Sequence, residues 1–90
     1  MAILLEPIRV DTHSRVEEGL LVLSDGALVA LLVRIADEMH EESQIGSWFV
    51  EAAFGPCAGG DGLLFAAVGD AEAWVADCID ARQERSQKPL

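Results

Sequence analysis

From Gly19 to Glu38 the chain reads GLLVLSDGALVALLVRIADE, two apolar runs flanking Ser24-Asp25-Gly26. An Asp-Gly pair between apolar runs predicts a hairpin closed by a two-residue type I′ turn. Such a turn sets Ser24 against Ala27, Leu23 against Leu28, Val22 against Val29 and Leu20 against Leu31. Strand alternation then places Leu20, Val22, Val29, Leu31, Val33 and Ile35 on one face. Leu21, Leu23, Leu28, Ala30, Leu32 and Arg34 take the other. A three-residue loop with a bulge is the alternative, and it would shift the register. Both faces are apolar, so this hairpin needs cover on both sides.

The remaining pattern fills in around it. Ile3 to Val10 predicts a first strand, at a sheet edge or broken at Pro7, because proline cannot donate to a ladder. Asp11 to Glu18 is polar and turn-like, and Asp37 to Ser47 is a long polar connection. Trp48 to Phe54 alternates as a strand, with Trp48, Val50, Ala52 and Phe54 on one side. Gly55 to Gly62 (GPCAGGDG) reads as a loop, and Leu63 to Val68 as a short apolar strand. Gly69-Asp70 then opens a helix, with Asp70 as its cap. On that helix Ala71, Trp74, Val75, Cys78, Ile79 and Arg82 recur at helical spacing.

The expected fold is therefore α+β: an antiparallel sheet of four to five strands with one C-terminal helix packed on one face. Residues 1–90 form a single domain. Its parts are an N-terminal strand and turn over 1–19, the sheet over 20–68, the helix over 70–85 and a tail over 86–90. A helix of about 15 residues spans roughly 22 Å and covers one sheet face only. The second apolar face is left for the N-terminal segment, for barrel closure or for a second copy of the chain. The dimer expectation puts Leu21, Leu23, Leu28, Leu32 and Trp48 at the interface, with Ala30 among the leftover apolar positions.

Charge changes the picture next. The chain carries a formal net charge of −10, and no lysine or arginine occurs between Arg34 and Arg82. Ten acids lie in that interval, while the six outside it balance six bases. Such a layout disfavours nucleic acid, whose binding needs clustered cations. It suits a basic protein surface, a divalent cation or plain solubility. No stretch predicts a secretory signal or a membrane span. Cys57 and Cys78 lack metal-ligand spacing and read as reduced thiols of a cytoplasmic protein.

Catalytic chemistry is sparse. Asp37, His40, Glu41 and Glu42 form the best metal-like cluster, hard oxygens with one imidazole nitrogen, but their spacing matches no known ligand loop and a solvated acidic loop is the favoured reading. The glycine-rich loop leads into a strand and has no lysine, unlike a phosphate cradle. His13 and His40 are the available bases; Ser14, Ser43, Ser47, Cys57 and Cys78 are the available nucleophiles, and no nucleophile elbow is present. Cys57 is expected to be the exposed thiol and Cys78 a core residue. No cofactor is expected.

The stretches VLSDGALVALLVRI, GSWFVEAAFGPC and DAEAWVADCI together resemble small acidic bacterial proteins of unknown function. That resemblance implies a free-standing domain in a bacterial cytoplasm and brings no activity. Three functional readings stand: a non-enzymatic interaction module acting as a homodimer, an acidic inhibitor or adaptor for a basic protein, and a small metal-dependent or His/Asp enzyme.

Overall fold

A computed structural model describes the backbone of residues 2–11, 16–35 and 46–87, and their side chains except those of 84–87. Five antiparallel strands follow one another in chain order: β1 (Ile3–Asp11), β2 (Val16–Ser24), β3 (Ala27–Arg34), β4 (Trp48–Ala53) and β5 (Leu64–Phe65). A single 3-10 turn (Gly55–Cys57) separates the last two, and helix α1 (Val68–Gln87) ends the fold. This is the α+β architecture that the pattern predicts.

The hairpin turn forms as expected. Asp25 has φ 50° and Gly26 φ 85°, the left-handed pair that a type I′ turn needs. Ser24 pairs with Ala27 and Leu23 with Leu28. Beyond that point the expected register is wrong by one residue. A β-bulge lies between these pairs and the next, so Val22 faces Ala30 and Leu20 faces Leu32. Val29 is the extra residue. Its carbonyl accepts the Phe54 N–H at 2.8 Å, which draws the bulge toward β4. One inserted residue flips every later side chain. Ala30, Leu32 and Arg34 therefore join Leu20 and Val22, while Leu31, Val33 and Ile35 join Leu21, Leu23 and Leu28.

Strand β4 carries a second irregularity. Leu32 pairs with Val50 but Leu31 with Ala52, leaving exposed Glu51 as the extra residue. Ala52 thus leaves the face of Trp48 and Val50, and Ala53 takes its place opposite Ala30. The expected strand from Leu63 to Val68 shrinks to Leu64–Phe65, because Val68 already belongs to the helix. Asp70 consequently sits inside the first helical turn rather than before it. Strand β1 runs unbroken through Pro7, which pairs with Leu20; its place at the sheet edge is what tolerates a proline. Strand β2 begins at Val16, earlier than the polar composition of residues 16–18 predicts.

The core lies between one sheet face and the helix. Val22, Val29, Ala30, Leu32 and Val50 meet Ala71, Val75 and Ile79 from α1, together with Cys57. Ile3, Leu5, Leu20, Trp48, Ala53, Phe65, Trp74 and Cys78 close its margins. Trp74 packs on Phe65 with ring centroids 5.6 Å apart. The Ala2 N–H donates to Asp25 Oδ1 at 3.1 Å, and the Asp25 N–H returns a bond to the Ala2 carbonyl at 2.9 Å. Those two bonds tie the start of β1 to the hairpin turn.

Candidate functional site

The sheet face turned away from α1 is the most distinctive surface. Its rows can be read straight across the strands. Leu4, Leu23 and Leu28 form one row. Glu6, Leu21, Leu31 and Ala52 form the next. Ile8, Gly19, Val33, Phe49 and Leu64 form a third that crosses all five strands. Leu4 is 56% exposed and Leu28 40%, and Ile8 and Leu64 are exposed as well. Val33 is buried beside Gly19, over which Val10 leans so closely that a Cβ there would stand 2.7 Å from Val10 Cγ2.

The expected interface residues divide between the two faces. Leu21, Leu23 and Leu28 lie on the open one. Leu32 does not: it is 0% exposed and sits under the helix. Ala30, also 0% exposed, goes with it. Trp48 is half-buried on the helix side, opposite Arg34 and Phe65. The bulge at Val29 is the reason for the change of side at Ala30 and Leu32.

Acidic side chains line the helix. Asp70, Glu72, Asp77 and Asp80 are exposed along α1, and Asp61 is exposed in the preceding loop. Arg34 pairs with Glu18 at 3.1 Å, with both side chains largely exposed, a contact of little energetic weight. The molecule presents an acidic helix on one side and an aliphatic sheet on the other.

His13, Ser14, Asp37, His40, Glu41, Glu42 and Ser43 lie outside the described residues. Among the described residues no group of three His, Cys, Asp or Glu side chains could hold a metal ion. Ser47 is buried, and its carbonyl accepts the Ile35 N–H at 2.8 Å. A cleft of about 350 Å³ opens where the β2–β3 turn meets the helix, between Asp25, Leu28, Pro56, Ile79 and Arg82. Among the described residues of its wall there is neither histidine nor cysteine.

The thiols reverse their expected roles. Cys57 is 1% exposed and part of the core, whereas Cys78 is only half-buried. The turn Gly55–Cys57 folds the loop inward, because the Cys57 N–H bonds back to the Phe54 carbonyl at 3.0 Å. Burial pushes the Cys57 thiol up to about 12, with the neighbouring Cys78 adding to the shift through its charge and a side-chain hydrogen bond. No spacing rule in the sequence links these two cysteines; their adjacency is a product of the fold.

No helix among the described residues is long and apolar enough to cross a membrane. No family model, curated protein or solved structure matches the chain.

Proposed function

We propose that the protein is a non-enzymatic interaction module that works as a homodimer, two copies meeting through the open faces of their sheets. The observation carrying this reading is the pair of apolar rows Leu4–Leu23–Leu28 and Ile8–Val33–Phe49–Leu64 on the face without the helix, with Leu21, Leu31 and Ala52 between them beside Glu6. Five strands about 4.8 Å apart and rows over about 20 Å of strand give roughly 400 Å² in projection, within the roughly 300–600 Å² of a monomer's largest patch, which is often a functional one. Each large aliphatic side chain left in water forfeits roughly 1.5–3 kcal/mol relative to burial. A twofold contact buries the same patch on both copies at once. The charge layout bears on a second copy: the exposed acids of α1 lie on the side away from this face, and Glu6 and Glu17 are the acids that two copies would bring toward each other.

Light scattering after gel filtration tests the reading. The expected result is twice the 9.6 kDa chain mass, and Leu28→Glu should halve it while leaving far-UV circular dichroism unchanged. A 9.6 kDa species persisting at high micromolar concentration ends the proposal.

A second reading rests on a separate observation, the exposed Asp70, Glu72, Asp77 and Asp80 of α1. These would dock a basic protein surface, in the cytoplasm, without involving the open face. Retention on a basic protein column that vanishes at moderate salt favours it.

A further inference from the structure

The loop over residues 55–60 runs antiparallel along α1 in close contact. A Cβ on Gly60 would stand 2.2 Å from Trp74 Cζ2, and one on Gly55 would stand 3.5 Å from Arg82 Nη1. Trp74 and Arg82 lie about 12 Å apart along the helix axis. Cys78 is midway between them on the same stripe, and Cys57 lies between Gly55 and Gly60 on the facing loop. Both cysteines belong to one packed core, Cys57 inside it and Cys78 at its margin. The loop is held by hydrogen bonds from the Ala58 N–H to the Gly55 carbonyl and from the Gly60 N–H to the Cys57 carbonyl, each 3.1 Å. Two thiols on two anchored segments therefore face each other.

We propose that Cys57 and Cys78 are a dithiol–disulfide pair, oxidised by low-molecular-weight disulfides such as oxidised glutathione, that staples the loop to the helix. The order of events follows from access. Cys78, half-buried, attacks as its thiolate a sulfur of oxidised glutathione and expels one glutathione thiolate, leaving a mixed disulfide. Cys57 then loses its proton, attacks the Cys78 sulfur, forms the internal S–S bond and expels the second glutathione thiolate. Both thiolates take up protons. The protein loses two protons and two electrons, and oxidised glutathione becomes two reduced glutathiones. The second step is the slow one, because burial disfavours the Cys57 thiolate and only the thiolate attacks.

The test uses the full reduced chain, incubated natively with oxidised glutathione, quenched in acid, alkylated and weighed intact. The expected product is lighter than the reduced chain by two hydrogens, resists alkylation, and gives one peptide pair joined through residues 57 and 78. It should melt about 15–20 °C higher than the reduced form, as expected for a bridge closing a loop of this length. Cys57→Ser should stop at a glutathione adduct on Cys78. A parent chain that stays reduced, that keeps an unresolved adduct, or that links only between chains overturns the proposal, and none of these outcomes depends on the variant folding.

Discussion

Glycines show how much of this fold is decided by single side chains. Gly60 has no room for a methyl group, since Trp74 Cζ2 and the Cys57 carbonyl both stand within about 3 Å of the Cβ position. Gly69 has nothing within 4 Å and lies in the first turn of α1. Gly60→Ala should therefore cost about 1–3 kcal/mol through overpacking. Gly69→Ala should be neutral or stabilise by up to about 1 kcal/mol through reduced backbone entropy. Urea unfolding of both variants checks the pair, and equal midpoints would mean that the loop does not press on the helix. Leucines make the same point in the core. Leu32→Glu buries a charge where exposure is 0% and should abolish folding, whereas Leu28→Glu, at 40% exposure, should not. The Asp25-Gly26 turn was readable because its chemistry is local. The bulge at Val29 was not: Leu28, Val29, Ala30 and Leu31 are all apolar, so the sequence carries no phase signal to say which residue is the extra one.

At the scale of elements, the helix and the 55–60 loop act as one layer over the sheet. The stripe Ala71, Trp74, Val75, Cys78 and Ile79 could be read from periodicity alone, since polar residues separate its apolar positions. What the loop does could not be read, because glycines and a proline predict only where a chain turns. Trp74 joins the two segments, touching both Phe65 and the Gly60 backbone. Trp74→Ala should cost about 2–3 kcal/mol, below the roughly 3–5 kcal/mol of a fully buried ring because this one is half-buried. Denaturant midpoints measure it. Cys57 gives the same layer a pH signature. Its thiol is raised from about 9 to about 12 in the folded chain, so the unfolded chain releases that proton first. Stability of the reduced protein is therefore unaffected by this group below about pH 8.5 and falls as pH rises toward 12. Cys57→Ala should flatten that alkaline limb of the stability profile, measured by urea unfolding between pH 7 and 10.5.

For the whole molecule the decisive fact is the separation of acid from oil. Each copy brings a net charge of −10, and exposed acids line the helix side while the opposite face carries leucines, Ile8 and Phe49 with Glu6 and Glu17 among them. Two copies joined through that face attract by burial and repel through their like charges, Glu6 and Glu17 of the face included. Repulsion of this kind acts at long range and is screened once the Debye length shortens from about 20–30 Å near 0.01–0.02 M salt to under about 5 Å near 0.5 M. Burial of leucine is not weakened by the same salt. The dimer should therefore tighten several-fold between about 0.02 M and 0.5 M sodium chloride, and its melting temperature should rise with protein concentration at every salt. A contact between the acidic helix and a basic surface behaves in the opposite sense, weakening over the same range. Sedimentation equilibrium at the two salt concentrations separates the cases. A dissociation constant that rises with salt would place the contact on charged groups and take it off the open face of the sheet.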